Sequence, residues 1–161
     1  MVVGNEESIE IVHFLKTDPK ARYQGYAFYF REGFCWIDVN STYLKARIKA
    51  NGVFDVLSMS LFSMTQLPDW YFVSLINSEL ISLYVDNFVN NTSHFQINDA
   101  RQLPIIIPNI DTFSQIKRIA NESVNNKKKQ LSGEITTTQA ELLLSNLQKE
   151  LDDSINDLYK I

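Results

Sequence analysis

Residues 90–108, NNTSHFQINDARQLPIIIP, separate two kinds of sequence pattern. The stretch begins polar and rich in asparagine, and it ends in an aliphatic run between Pro104 and Pro108. Because proline has no N–H to donate to a strand ladder and clashes inside a helix, residues 105–107 are expected to form a short buried strand or an extended plug between two helices. The Asn98-Asp99 dipeptide can cap a helix or hold a turn through bonds to nearby N–H groups.

Upstream of this stretch, the residue pattern predicts a sheet. Four runs have the length and the residue types of strands: IEIVHFL (9–15), GYAFYF (25–30), GFCWIDV (33–39) and YLKARIKA (43–50). Arg31-Glu32 is expected to be a tight turn between the second and third of these runs. Asn51-Gly52 is typical of a two-residue hairpin turn, so residues 53–64 are expected to return as the partner of 43–50.

Downstream of Pro68, the apolar residues recur about every 3.6 positions, which predicts helices. A first helix is predicted over residues 70–88, with Asp69 as its N-cap. A second helix is predicted to begin at Asp111 and to fray within residues 125–130.

A third helix is predicted after a break at Ser132-Gly133, with its N-cap within residues 136–138. Its apolar seam consists of Leu144, Leu147, Leu151, Ile155 and Leu158. The predicted fold class is therefore α+β: a small, mostly antiparallel sheet with a packed helix, followed by a C-terminal two-helix arm. We divide the chain into a domain over residues 1–110 and a helical arm over residues 111–161.

The composition is that of one ordinary globular domain. The chain has 161 residues, of which 45% are hydrophobic and 21% are charged, which is enough to bury a core. No apolar run approaches the ~20 residues of a membrane span, and the first residues, MVVGNEESIE, lack the pattern of a secretion signal. With Cys35 as the single cysteine, no internal disulfide can form, and a reducing cytoplasm is the expected location.

The charge is polarised along the chain. The net charge is −4, which by itself argues against a nucleic-acid partner. Residues 16–49, however, hold seven basic and three acidic side chains, hence +4, which leaves −8 for the remainder. The basic groups are therefore concentrated in one contiguous third of the sequence.

The sharpest local signal for DNA is the alternation of Lys45, Arg47 and Lys49. Residues two apart on a strand project from the same face, so the three cations would line up while the residues between them face the core. A row of cations suits duplex phosphates, and arginine can bond guanine edges in the major groove. The alternative is a solvated edge strand that its charges protect from aggregation.

A polar loop over residues 16–24 adds further candidates for DNA binding. They are Lys16, Lys20, Arg22, Tyr23 and Gln24. Arginine and glutamine can make paired hydrogen bonds to base edges, and the loop could join the basic strand in one positive surface. The alternative is an ordinary surface turn at Asp18-Pro19. The basic run 127–129 lies near a helix end, where cations are favourable and solvated, and it is assigned no function.

The sequence offers little support for catalysis. It has no Gly-rich phosphate loop, no nucleophile elbow and no cysteine and histidine cluster at metal-ligand spacing. Pro68-Asp69 has no downstream Glu-x-Lys partner of the kind a nuclease uses. The C-terminal carboxylates are interpreted as a solvated helix face: Glu150, Asp152, Asp153 and Asp157. We therefore expect a chain with no catalytic residue, metal or cofactor of its own.

Several segments, taken in order, resemble the TaqI-like C-terminal specificity domains, which are target recognition domains of restriction–modification methyltransferases and are related to the specificity subunits of type I systems. The segments are GFCWIDV, LKARIKANGVFDVLSMSLFS, DWYFVSLINSELISLYV and NNTSHFQINDARQLPIIIP, and the resemblance extends over roughly residues 11–161. The end, LQKELDDSINDLYKI, is similar to the family's terminal "ID…VYELYGL", although Asn156 and Lys160-Ile161 depart from it.

The resemblance implies sequence-specific recognition of double-stranded DNA. In that family the recognition domain follows a methyltransferase domain that uses S-adenosylmethionine and an Asn-Pro-Pro-Tyr motif to methylate adenine. That motif is not in this sequence, so the implied partners are duplex DNA and a methyltransferase or restriction domain or subunit. Residues 90–108 would then be a structural joint between the sheet and the arm. The alternative is a scaffold or assembly module whose leucine seam docks a partner subunit or a second copy.

Overall fold

Among the described residues, three short strands are followed along the chain by a series of helices, and one further helix precedes the sheet. The structure is a computed structural model that describes residues 5–21, 23, 25–37, 39, 43–49, 52 and 58–161. In chain order the elements are α1 (Asn5–Thr17), a 3-10 turn (Tyr26–Phe28), β1 (Gly33–Ile37), β2 (Ala46–Lys49), β3 (Ser58–Leu61), α2 (Asp69–Ile76), α3 (Glu79–Tyr84), a π turn (Val85–Val89), α4 (Ile97–Ala100), α5 (Ile110–Ser132) and α6 (Thr137–Tyr159). The antiparallel sheet and the two long C-terminal helices confirm the predicted α+β class. No helix among the described residues is both long and apolar enough to cross a membrane.

The strand β1 lies at the centre of the sheet, in the order β2-β1-β3, with both neighbours antiparallel to it. Its residues Phe34, Cys35 and Trp36 are all buried. Side chains at consecutive positions of a strand point to opposite faces, so both faces of β1 are covered. The strand predicted over residues 33–39 is confirmed for residues 33–37.

The hairpin predicted between residues 43–50 and 53–64 is not formed by the described residues. β3 pairs with β1, with Leu61 opposite Phe34, and β2 pairs with the other edge of β1. β2 is therefore an edge strand. Because both strands are antiparallel to β1, β2 and β3 run in the same direction and cannot be the two arms of one hairpin. Asn51 and residues 53–57 lie outside the described residues.

Two runs predicted as strands are helical. Residues 9–15 belong to α1, and the half-buried residues of this helix are spaced as on one helix face. A short apolar run fits either period, so local pattern alone does not separate the two. Residues 25–30 contain the 3-10 turn, and Phe30 has a left-handed conformation with φ of 61°. The turn expected at Arg31-Glu32 therefore does not join two strands.

The single helix predicted over residues 70–88 is broken at Asn77 and Ser78. α2 ends before this point, and α3 begins after it with Ser78 as its N-cap. The N-cap predicted for the first helix is also wrong, because Pro68 holds that position and Asp69 is the first helical residue. The Asp69 carboxylate instead accepts a hydrogen bond of 2.9 Å from a backbone N–H of the preceding loop.

The two C-terminal helices form a hairpin, whose first helix differs from the prediction at both ends. The N-cap of α5 is Asn109 and not Asp111, and the Asn109 Oδ1 accepts a hydrogen bond of 2.9 Å from a backbone N–H of the first turn. The fraying predicted over residues 125–130 is wrong, since α5 continues to Ser132. α6 packs against α5, and tertiary packing of this kind supports a helix beyond its intrinsic propensity.

The turn of the hairpin and the start of α6 are as predicted. Gly133 ends α5 in the left-handed conformation, with φ of 78°, which glycine adopts without steric cost. Thr136 and Gln139 form a capping box at the start of α6. The predicted seam faces inward: Leu147, Leu151 and Ile155 are buried, and Leu144 and Leu158 are half-buried.

The helix α2 lies between two hydrophobic clusters. The first cluster holds Phe34, Trp36, Leu44, Ala46, Ile76, Ile81, Val85 and Phe95. The second joins α2 to the hairpin and holds Tyr71, Leu75, Ile116, Ile119, Leu147, Leu151 and Ile155. Burying one large apolar side chain is worth about 1.5–3 kcal/mol, so a shift of α2 would be costly in both clusters at once. α2 therefore links the sheet to the hairpin.

The predicted joint, residues 90–108, is attached to the sheet at its first half. Trp36 Nε1 donates a hydrogen bond of 2.8 Å to the Phe95 carbonyl, and both side chains are buried. The Asp99 carboxylate accepts a hydrogen bond of 2.8 Å from the Gln96 N–H at the start of α4, as the polar Asn98-Asp99 dipeptide suggested.

The second half of the joint is attached to α2 and α6. The Tyr71 hydroxyl donates a hydrogen bond of 2.7 Å to the Ile106 carbonyl, and the Tyr159 hydroxyl donates one to the Pro104 carbonyl. The aliphatic run lies between α4 and α5 without regular secondary structure, and it is neither a buried strand nor a buried plug, because Ile107 is 80% exposed.

Candidate nucleic-acid interface

The edge strand β2 presents two of the cations that predict DNA binding. Lys45 precedes the strand and Arg47 lies within it, and both are exposed, whereas Ala46 between them is buried. The alternation follows from the register with β1, in which Arg47 lies opposite Cys35 and Ala46 opposite Trp36. Lys45 and Arg47 are therefore accessible to a partner.

Lys49, the third cation of the predicted row, packs against an aromatic ring. It is half-buried, and its Nζ lies 5.9 Å from the centroid of the Phe62 ring. That ring fills the space beside Gly33, where a Cβ atom would come within 2.6 Å of it, and Gly33 lies opposite Lys49 in the sheet. Burial lowers the pKa of Lys49. The row therefore presents two cations to solvent and not three.

The candidate residues of the loop over 16–24 are described in part. Lys16 is exposed in the last turn of α1, and Lys20 is exposed in the turn that follows. Tyr23 is half-buried, and its ring stacks on that of Tyr26 with centroids 4.9 Å apart. The Tyr23 ring is thus engaged within the fold. Two further candidates, Arg22 and Gln24, lie outside the described residues.

The outer backbone edge of β2 is covered at its first residue, Ala46, by the side chain of the residue that follows α2. The Ala46 N–H donates a hydrogen bond of 2.7 Å to Asn77 Oδ1, and Asn77 Nδ2 donates one of 3.0 Å to the Ala46 carbonyl. Just before the strand, the Leu44 N–H donates to Ser82 Oγ at 3.1 Å. One carboxamide thus takes the place of a neighbouring strand at Ala46, which blocks strand addition there. What β2 offers to a partner is its side chains.

A cleft of about 630 Å³ separates β2 from the C-terminal hairpin. Its floor is apolar and includes Trp70, Val73, Leu147 and Leu151. Ile48 was expected to face the core, but it lines this cleft and is 39% exposed. Three cations line the cleft, Arg47 from β2 and Lys127 and Lys128 from α5, and no carboxylate belongs to its lining within the described part of the chain.

Lys127 and Lys128 are the cleft residues to which the sequence pattern assigned no function. They lie 80 and 81 positions after Arg47, and they come close to it because α2 contacts both β2 and α5. The spacing of residues along α5 indicates which face of the helix carries these lysines. The lysines follow Ala120 and Val124 at helical spacing, and all four residues line the cleft.

The C-terminal carboxylates predicted to form a solvated face are partly engaged in contacts within the fold. Asp152 accepts a hydrogen bond of 2.8 Å from the Glu79 N–H at the start of α3. Glu150 forms an ion pair with Arg118 and so joins α6 to α5. Among the described residues, no group of three or more His, Cys, Asp and Glu side chains is placed to hold a metal ion. Glu150 and Asp152 therefore have structural partners, whereas Asp153 and Asp157 are exposed, as predicted.

No protein-family model matches this sequence. No curated protein matches it significantly either. The function assigned to the cleft and to β2 therefore depends on their geometry and charge, together with the sequence resemblance described above.

Proposed function

We propose that this chain is a DNA target recognition domain of a restriction–modification enzyme, which binds double-stranded DNA through the side chains of β2. The observation that carries the proposal is the exposure of Lys45, just before the edge strand β2, and of Arg47 within it, on either side of Ala46, whose outer backbone groups are already bonded to Asn77. Such a strand cannot add a further strand at that point, but it can present cations to an anionic surface. The resemblance to TaqI-like specificity domains supports the same partner.

In this proposal the two cations have different tasks. Arg47 can bond both acceptors of a guanine edge, and one good bidentate pair discriminates between bases by about 1–3 kcal/mol. Lys45 suits a phosphate oxygen, a contact that fixes the register of the protein on the duplex without reading sequence. The packed Lys49 contributes to the charge of the strand while its side chain stays against Phe62.

The proposal divides recognition and chemistry between two units. A methyltransferase or restriction domain or subunit outside this chain would bind S-adenosylmethionine and flip the target adenine, at an unstacking cost of a few kcal/mol. That unit can supply much of the phosphate affinity, so a net charge of −4 is compatible with a recognition role. No cofactor is proposed for the chain itself. The role places the chain in the cytoplasm, where its single thiol at Cys35 stays reduced.

The fold supports this division because it fixes β2 in space. α2 is common to the sheet cluster and the hairpin cluster, and the joint is bonded to β1 at Phe95 and to α2 and α6 at Ile106 and Pro104. A partner that docks on the helical arm, residues 111–161, would therefore hold β2 at a defined distance from its own catalytic site.

Charge reversal on β2 tests the proposal. Fluorescence anisotropy of a labelled duplex would compare the unchanged chain with the double variant Lys45→Glu/Arg47→Glu. A matched control, Lys117→Glu/Lys149→Glu, makes the same change in net charge at exposed residues of α5 and α6 outside the cleft. Loss of one Arg–base pair and one phosphate contact should weaken binding at least about tenfold relative to the control. Equal affinities for the two variants would contradict the proposal.

The second candidate is an assembly module. The seam proposed for docking is used inside the chain, since Leu147, Leu151 and Ile155 are buried. The observation that favours assembly is the exposure of two other hairpin residues, Leu142 at 65% and Leu143 at 42%. Light scattering of the full chain over a range of concentrations would show a rise in mass if these residues mediate association. A constant monomer mass would remove this candidate.

A further inference from the structure

Two lysines of α5 belong to the same cleft as Arg47, although the proposed function does not use them. Lys127 and Lys128 are exposed and line the hairpin side of the cleft, while Arg47 lines the side formed by β2. An adjoining cleft is lined by Lys45 and again by Lys127. Cations from two distant parts of the sequence thus face one opening from both sides.

The position of these lysines is not explained by the end of the helix alone. α5 ends at Ser132, and its last turn contains Lys129. Cations are favourable at a helix C-terminus, but the effect falls off within the last turn. It therefore accounts for Lys129 better than for Lys127 and Lys128, which lie before that turn. An anionic ligand in the cleft would account for two adjacent cations on the cleft side of α5.

The electrostatics of the cleft favour an anion. No described residue that lines it is a carboxylate. Four acidic residues line the adjoining clefts: Glu32, Asp69, Glu79 and Asp152. Two of them have partners in the fold, because the Asp152 carboxylate accepts from the Glu79 N–H and the Asp69 carboxylate from the Ser63 N–H. A concave surface lined by one sign of charge over an apolar floor focuses the electric field. The ligand that fits this pattern has several regularly spaced negative charges.

We propose that Lys127 and Lys128 bind the phosphate backbone of duplex DNA, so that one DNA strand lies over the cleft between β2 and α5. This inference rests on the proposed function and deepens it, because it names the second wall of the same site. β2 holds the duplex from one side with Lys45 and Arg47, and the first helix of the hairpin holds it from the other. The helical arm is then part of the DNA-binding surface as well as a spacer.

The salt dependence of binding measures this contribution. The logarithm of the association constant falls with the logarithm of salt concentration by about 0.9 for each phosphate contact. The double variant Lys127→Gln/Lys128→Gln should therefore reduce that slope by about 2, and it should weaken binding equally for all duplex sequences. The matched control is Lys117→Gln/Lys129→Gln, which removes two exposed lysines from the same helix outside the cleft lining.

The measurement uses the full chain, a labelled duplex of mixed sequence and a salt series, with circular dichroism to verify that each variant is folded. A reduced slope for Lys127→Gln/Lys128→Gln, with an unchanged slope for the control, is the expected result. If the two variants have the same slope while Lys45→Glu/Arg47→Glu still loses affinity, the inference is overturned and the proposed function stands. If the unchanged chain shows no salt-dependent affinity for duplex DNA, both are overturned. If the cleft variant changes self-association and not DNA binding, the cleft is a protein-docking surface and the inference fails.

Discussion

Replacing Asn77 with alanine is expected to lower the free energy of unfolding by about 2–4 kcal/mol. The side chain makes two hydrogen bonds to one residue of β2, accepting from the Ala46 N–H at 2.7 Å and donating to its carbonyl at 3.0 Å. A buried backbone group left without a partner costs about 1–3 kcal/mol, and the alanine variant leaves two such groups. Two such groups together would cost about 2–6 kcal/mol. Both bonds are part-buried, so water recovers some of this loss, and the lower half of that range is expected.

Urea unfolding followed by circular dichroism measures this change, provided that the slope with denaturant is the same for all variants. Asn87→Ala is the matched control, because its exposed amide donates only to the Leu83 carbonyl at the end of α3, and a loss of at most about 0.5 kcal/mol is expected for a surface change. If Asn77→Ala costs no more than Asn87→Ala, the account of how β2 is held is refuted.

Two further predictions concern the joint. Trp36→Phe removes the 2.8 Å hydrogen bond to the buried Phe95 carbonyl. The free energy of unfolding in urea should fall by about 1–3 kcal/mol. An unchanged free energy of unfolding would mean that this bond does not hold the first half of the joint. Burial, with a smaller contribution from Tyr159, raises the pKa of Tyr71 above its ordinary value of about 10. The folded chain therefore holds this proton more tightly than the unfolded chain, and the associated stability is complete below about pH 10 and is lost as the pH rises further. Tyr71→Phe should lose less stability than the unchanged chain between about pH 9 and pH 11, and identical losses would contradict this.

The local sequence pattern predicted correctly those elements whose own residues already indicate which faces are buried. β1 is apolar at consecutive positions because it is buried on both faces. α6 has a capping box at Thr136 and an inward seam at regular helical spacing. In both cases the local preference and the tertiary environment agree, which is the usual condition for a successful prediction from sequence.

The elements that local pattern missed depend on distant partners. Residues 70–88 have a continuous helical period, but the chain breaks at Asn77, whose side chain bonds the backbone of β2 31 positions away. The order β2-β1-β3 likewise follows from the need of β1 for a neighbour on each edge, which no turn signal encodes. Residues 9–15 are too short an apolar run to separate a strand from one face of α1.

In the candidate site, too, the sequence predicted the features that depend on local spacing and missed those that depend on distant partners. The alternation around Arg47 predicted the exposed cations of β2, because the period of a strand is a local property. The packing of Lys49 against Phe62 and the approach of Lys127 to the same cleft are set by the neighbouring strand and by α2. They could not be obtained from spacing alone.

Selection of duplexes from a randomised pool tests the central claim of DNA target recognition most directly. The full chain would be immobilised, incubated with the pool, and the bound duplexes sequenced over several rounds. We expect one short motif to be enriched, and we expect Arg47→Ala to lose that enrichment while the exposed control Lys149→Ala retains it. A bound pool with no enriched motif, or a motif that is unchanged in Arg47→Ala, would contradict the claim that β2 recognises a DNA target.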